Sequence, residues 1–302
     1  MELRHLRCFV AVAEELHFTR AAVRLHIEQS PLSRTIRELE SDLGATLFER
    51  NRRGTQLTWA GQVLLEDARR VFAVLEQART NVRAAATGYR GMLRLALSDG
   101  IAQTRLAALL ALCREEEPDV EIRLFETPLA SQVRGLRDDT FDAGFAQSDE
   151  AGEGILCEAV WSDPILVAIP TRHPLLAFRQ VPLDELLRYP LIKCHPETCE
   201  GAYRQIKRLL RTAAIQPRIA ERVATLELML TLVAAGYGLG FATAAQISVC
   251  RHPEVIARPL SDPSACMTTY LLRPDSEPSE PLQHFIERAM LSRDDSPAVD
   301  PI

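Results

Sequence analysis

Between residues 59 and 87 the chain has no proline and a single glycine, and Leu64, Ala68, Val71, Leu75, Ala78, Val82 and Ala85 recur at alternating steps of four and three. This heptad spacing predicts one continuous helix with an apolar seam. At 1.5 Å per residue the helix runs roughly 43 Å, too long for a small domain to cover, so a second copy of the chain is expected along the seam. Leu65, Phe72 and Val74 widen the stripe and are expected to pack on the segment before it. The chain is thereby divided into a short part and a long part. Thr87-Gly88-Tyr89-Arg90-Gly91, with two glycines, reads as a hinge to the long part.

The short part carries two amphipathic patterns separated at His26 by a connection short enough to demand a sharp turn. In the second, Leu32, Ile36, Leu39 and Leu43 share one face, and Ser30, Ser33, Arg34, Arg37 and Ser41 share the other. Ser30 suits an N-cap and Pro31 the first helical position. Gly44 suits the end of the helix. Ala21, Ala22 and Leu25 give the preceding helix a small inner face, which lets two helices cross closely. A first helix with Leu3, Leu6, Phe9, Val10, Ala13 and Leu16 inside completes a three-helix core. That is a helix-turn-helix, whose second helix is shaped for a major groove. Its leading end, Gln29, Ser30, Pro31, Ser33 and Arg34, offers groups for base edges and phosphates and no acid, while Glu38 and Glu40 come later. Leu47, Phe48 and Leu57 anchor two short extended segments around a basic tip, Arg50-Asn51-Arg52-Arg53-Gly54, expected to lie on the phosphate backbone. The net charge of −6 hides this polarity: residues 1–90 hold 14 Arg against 11 acids, residues 91–302 hold 21 basic against 30 acidic residues. The part shaped for DNA is the positive one.

With SPLSRTIRELE, LFER and LTWAG in place, the first sixty or so residues resemble, without a gap, the N-terminal domain of LysR-type transcriptional regulators. The resemblance implies a winged helix-turn-helix over 1–58, a dimerising linker helix over 59–88 and an effector-binding domain over 91–302. It places Thr19, Gln29, Ser30, Pro31, Ser33, Arg34, Arg37, Arg50, Arg52 and Arg53 against double-stranded DNA, on an interrupted palindromic operator. It also implies a dimer or tetramer, allows RNA polymerase as a further partner, and calls for no cofactor and no catalysis.

From Met92 the grammar changes to alternating strands and helices: strand 93–97, helix 102–114, strand 120–125, helix 129–137 and strand 141–146. This order predicts a parallel sheet flanked by helices. A second group follows: strands 165–169 and 191–194, helix 199–212, strand 218–222, helix 226–235 and strand 239–242. The chain then returns through 267–272 and a helix over 282–291. Two crossings, near 162 and 266, make lobe I (91–161 and 267–292) and lobe II (162–266), resembling the periplasmic-binding-protein-like α/β effector domain of the family. Residues 293–302 lack apolar content and are expected to be disordered. Ligands in such sheets bind beyond the carboxyl ends of strands, near helix N-termini. That rule selects Ser98, Asp99 and Gly100, Thr127, Gln147, Lys193, His195 and Thr243, and in the resembled family these places line the effector cleft. Lys193 is one of only two lysines beside 33 arginines and would suit a carboxylate effector. Gln147 stands where many relatives place an arginine after DAGF, which leaves the effector's charge open.

Cys194, His195 and Cys199 support an alternative, a thiol-redox or metal-responsive regulator, although a structural zinc would want a fourth ligand. Seven scattered cysteines fit a reducing compartment, and no stretch nears the roughly 18 apolar residues of a membrane span, so a cytoplasmic protein is expected. No G-x-S-x-G, Walker A, H-E-x-x-H or C-x-x-C motif occurs. Gly236-Tyr237-Gly238-Leu239-Gly240 precedes a strand instead of following one, so it is read as a helix end and not as a dinucleotide loop.

Overall fold

The computed structural model describes residues 1–51, 54–86, 91–98, 101 and 103–291. Of the expected hinge at 87–91, residues 87–90 lie outside the described residues and Gly91 opens a strand; the tail at 293–302 also lies outside them. The chain forms two compact units, Met1–Thr80 and Asn81–Ile302.

In the first unit, helices α1 (Leu3–Glu15), α2 (Phe18–Arg24) and α3 (Gln29–Leu43) precede strands β1 (Phe48–Asn51) and β2 (Gly54–Leu57) and the long helix α4 (Trp59–Ala86). The turn between α2 and α3 passes through His26 at φ 55°, and Ile27 N–H reaches back to the Ala22 carbonyl at 3.0 Å. Phe9, Ala21, Leu32, Ile36 and Leu39 are buried together, and Phe48 packs on the rings of Phe9 and Phe18 at 5.3 and 5.9 Å. Strands β1 and β2 pair antiparallel from Phe48↔Leu57 to Asn51↔Gly54. Gly61, the one breaker in the long helix, has a packing reason. A Cβ there would stand 2.2 Å from the Leu47 carbonyl, where α4 crosses the base of the hairpin. Thr58 caps that helix start by accepting the Gly61 N–H at 2.9 Å.

Helix α3 begins two residues earlier than the capping residues suggested. Its N-cap is Glu28, with no side-chain capping bond, so Ser30 and Pro31 fall inside the first turn, where a missing N–H still costs nothing. Ser33 is buried at 7% exposure, not on the outer face, and Leu43 is largely exposed. On α4, Leu64, Leu65, Ala68 and Phe72 join the core of this unit. Val74, expected to pack there too, is 53% exposed, as are Val71 and Val82 at 42% and 70%.

The second unit runs β3 (Gly91–Leu97), α5 (Gln103–Glu116), β4 (Val120–Glu126), α6 (Leu129–Arg137), β5 (Ala143–Ala146), β6 (Ile155–Pro170), a 3₁₀ turn at Pro174–Ala177, α7 (Leu183–Leu186), β7 (Leu191–Cys194), α8 (Glu200–Leu210), β8 (Ile219–Val223), α9 (Leu226–Ala234), β9 (Leu239–Thr243), α10 (Ala244–Val249), β10 (Val255–Pro259), β11 (Cys266–Pro274) and α11 (Glu280–Leu291). Among the described residues these strands join in one sheet, ordered β4-β3-β5-β11-β6-β9-β7-β8, with β10 on β6. The sheet is mixed, not parallel: β3 pairs parallel with β4 and β5, but β11 runs antiparallel to both β5 and β6.

Strand β6 is the spine between the two lobes. Its first ten residues pair with β11 and its last six with β9 and β10. The sequence predicts a lobe crossing near residue 162. In the fold Pro164 marks the handover, because the β11 ladder ends there and the β9 ladder begins at Ile165. The Asp163 carboxylate is buried and accepts from Arg105 Nε at 3.1 Å. Lobe I is centred on Phe145 and Trp161, stacked at 4.8 Å under Phe285. Lobe II is centred on Val167, Leu191, Ile206 and Leu239.

Candidate functional site

Helix α3 presents Ser30, Pro31, Arg34 and Arg37 to solvent. Thr19, at the start of α2, donates its hydroxyl hydrogen to Gln29 Oε1 at 3.0 Å, so two of the selected residues meet at the leading end of α3. Arg34 Nε donates to Glu38 Oε1 at 3.0 Å, one turn on, yet remains 83% exposed. An exposed i,i+4 pair of this kind is worth a few tenths of a kcal/mol, which leaves the guanidinium free to exchange partners. Glu40 does different work. Its carboxylate accepts the Leu47 and Phe48 N–H groups at 2.8 and 3.3 Å and thereby fixes where β1 leaves α3. Ser33 is buried and so withdrawn from the outer face, and the leading end has an acid at its threshold, Glu28. Arg50 lies in β1 opposite Thr55. Arg52 and Arg53 lie outside the described residues.

The second unit holds a cavity of about 990 Å³ between its lobes. Lobe I supplies Ser98 beyond β3, Thr127 beyond β4 and Gln147 beyond β5, each at a carboxyl end where a helix or loop follows. Hydrogen bonds fix these ends: Ser98 N–H donates to the Phe145 carbonyl at 3.1 Å and Thr127 N–H to the Leu97 carbonyl at 2.9 Å. Lobe II supplies Lys193 from β7, Cys194, Cys199 at the N-cap of α8, and Thr225 at the N-cap of α9. Ile165, Ile192, Met229, Phe241 and Met267 make much of the remaining wall apolar. Ser98, Gln147 and Lys193 are buried, at 6%, 3% and 8% exposure. The Lys193 ammonium sits 4.6 Å from the centre of the Tyr203 ring. Burial pushes its pKa down, with Arg222 and Lys207 adding to the effect and Cys194 opposing it. Burial thus disfavours the charged form of Lys193, while the carboxylates of Glu126 and Glu227 belong to the same cavity wall.

Two selected residues are placed elsewhere. Thr243 is buried as the N-cap of α10, accepting from Gln246 N–H while Gln246 Oε1 accepts the Thr243 N–H, and it is Gln246 that belongs to the wall. His195 is outside the wall, its Nδ1 accepting the Glu197 N–H at 3.3 Å. Asp99 and Gly100 lie outside the described residues. Cys194 and Cys199 share the wall, neither of them in a disulfide, with the Cys199 thiol donating to the Ala224 carbonyl at 3.5 Å, and among the described residues no three metal-binding side chains converge there or elsewhere. Thr225 was missed in the sequence, although the rule used for the other strands, applied to the end of β8, points to it. Gln246 carries no such signal, because a capping box looks the same on any helix.

Residues 3–62 match the family model described as bacterial regulatory helix-turn-helix protein, lysR family, and residues 86–290 match the LysR substrate binding domain. The chain is 33% identical over 282 residues to the HTH-type transcriptional regulator YnfL of Escherichia coli K12, itself uncharacterized, covering 93% of this chain and 95% of that one. It is 31% identical to the HTH-type transcriptional regulator AlsR of Bacillus subtilis 168 over 241 residues, 80% of each chain. Among solved structures, full-length CbnR complexed with its target DNA superposes at a TM-score of 0.74 with 28% identity, over 97% of this chain and 100% of that one. Among the described residues no helix is long and apolar enough to cross a membrane.

Proposed function

The chain belongs to the LysR family of bacterial transcriptional regulators, and on that premise we propose that a small organic anion seated in the cavity of the second unit controls how the first unit acts on duplex DNA. The observation that carries the ligand class is Lys193, a buried ammonium on the wall of a largely apolar cavity. A carboxylate beside it favours the charged ammonium that burial disfavours, and Ser98, Thr127 and Gln147 line the cleft from the other lobe. The ligand's body is apolar, to match Ile165, Met229, Phe241 and Met267. DNA as the partner of α3 is supported by the exposed Arg34 and Arg37 and by the likeness to CbnR, which was solved on its target DNA. A second copy covers the exposed Val71, Val74 and Val82 of α4, which pairs two recognition helices and makes the operator an interrupted palindrome. The ligand acts by binding one arrangement of the lobes better than another, and so biases the arrangement of the paired DNA-binding units.

The test is a thermal-shift series with benzoate and hexanoate on the full chain and on Lys193→Met. Stabilisation of the wild type that is lost in Lys193→Met supports an anion at Lys193. Equal stabilisation of both proteins, or of neither, refutes it. The pH dependence has a definite sign: an anion favours the charged ammonium, so binding weakens as pH rises through the depressed pKa of Lys193.

A further inference from the structure

Strand β5 pairs with β11 only from Leu272↔Gly144 to Tyr270↔Ala146, and beyond that point the two strands part. The residue that follows β5, Gln147, enters the cavity wall, while β11 shifts register against β6 between Thr269 and Tyr270 on its way to lobe II. The side chain of Gln205, projecting from α8 of lobe II, fills the fork. Its Nε2 donates to the Gln147 carbonyl at 2.8 Å and to the Thr268 carbonyl at 2.7 Å, and its Oε1 accepts the Thr268 N–H at 2.9 Å. One primary amide thus uses both donors and an acceptor to stand in for the missing strand pairing. The same helix lines the cavity with Ala202 and Ile206, starts at Cys199, and sets Tyr203 under Lys193. Beside Gln205, Arg204 donates to Glu150 at 2.6 Å and Arg208 to Asp149 at 3.4 Å, both acids on the loop that follows Gln147. These flanking pairs are exposed and contribute little, so the half-buried amide is the tie that matters.

We propose that Gln205 is a positioning residue of the cleft: by bridging Gln147 to Thr268 it holds the lobe I wall against α8 and sets the equilibrium between closed and open lobes. Its importance for a ligand rests on the reading of the cavity as an effector site. Its effect on closure does not, and closure is measured without ligand. Cys194 and Cys199 stand on the wall and report its access to solvent, whereas Cys113 is buried in the lobe I core and reports loss of the fold. The experiment is pulse labelling of the full chain with iodoacetamide, read cysteine by cysteine by mass spectrometry, in Gln205→Leu, which keeps the packing volume, and in Gln205→Ala. Both variants are expected to label Cys194 and Cys199 on the order of fivefold to tenfold faster, the shift that follows from losing one or two net hydrogen bonds, with Cys113 unchanged. Unchanged labelling of Cys194 and Cys199 in both variants overturns the proposal. So does a rise at Cys113 in step with them, since the amide then supports the fold and not the cleft. A failed Lys193→Met test alongside accelerated labelling would leave Gln205 as a tie of a cleft with some other occupant.

Discussion

Arg34 and Arg37 stand on the solvent side of a helix whose other face is sealed by Phe9, Ile36 and Leu39, whereas Ser98, Gln147 and Lys193 are buried around a cavity that strands and helices of two lobes must close together. The difference teaches how each kind of site depends on its scaffold. A surface reader needs one helix held at the right angle by a small core, so its side chains tolerate shifts that leave that helix in place. A cavity needs every wall element in register, and a buried polar group left without its partner costs a few kcal/mol. The first site is therefore damaged residue by residue, and the second by anything that moves a lobe.

The sharpest way to break this contrast is Trp161→Ala. Trp161 is 1% exposed and stacks on Phe145 in lobe I, so truncation should destabilise the second unit by about 3–5 kcal/mol while leaving the first unit's unfolding transition where it was. Urea denaturation followed by probes local to each unit checks this, and a matching drop in both would mean that the units unfold as one. A smaller effect is expected from Arg34→Ala: about 1–3 kcal/mol of DNA affinity, concentrated at one base pair if the guanidinium reads a base edge, while Arg53→Ala weakens all sequences alike. Selection of binding sites from random DNA distinguishes the two, and uniform loss from Arg34→Ala would remove it from base reading.

The smallest effect concerns acid. Glu117 joins α5 to α11, accepting from Arg288 at 2.7 Å and contacting the His284 ring. The Arg288 hydrogen bond, aided by His284 and opposed by burial, holds its pKa below the ordinary 4.5. A depressed carboxylate stabilises the fold fully above its unfolded pKa, and that contribution is lost as pH falls through 4.5 toward the folded value. Arg288→Met should therefore cost about 1–2 kcal/mol at pH 7 and flatten the acid limb of the second unit's stability curve. In the first unit burial raises the pKa of Glu14, but the hydrogen bonds and charges of Arg24 and Arg69 together outweigh it and leave the pKa lowered. Its own acid limb should survive Arg288→Met, which a pH series of the same two probes would show.

How far each site could be read in advance follows from the same contrast. Helix α3 announces itself because periodicity, a turn too short for anything else and a basic outer face all lie within about twenty consecutive residues. Even there Ser33 was misplaced: its position on the helix wheel puts it beside the polar face, yet it is buried at 7% exposure, because a residue at the edge of a stripe is assigned to one side or the other only by what packs there. In the second unit the ends of β3, β4, β5 and β7 could be predicted, and with them Ser98, Thr127, Gln147 and Lys193, because chain direction alone says which end of a strand meets a helix. The 16-residue length of β6 could not be predicted, since Asp163 and Pro164 break its pattern and only the changeover of partners at Pro164 makes an unbroken strand possible there.

The sequence by itself determined what is local and periodic: the helix-turn-helix, the long helix after it, the alternation of strands and helices, and the carboxyl ends where polar groups gather. Only the tertiary structure decided that Lys193 rests on Tyr203, that Gln246 and not Thr243 reaches the cavity, and that Gln205 fills the fork between β5 and β11. The physical reason is range. Periodicity and capping act over a few residues, whereas Gln205 meets Gln147 and Thr268 across 58 and 63 residues of chain, a pairing that exists only after both lobes have formed.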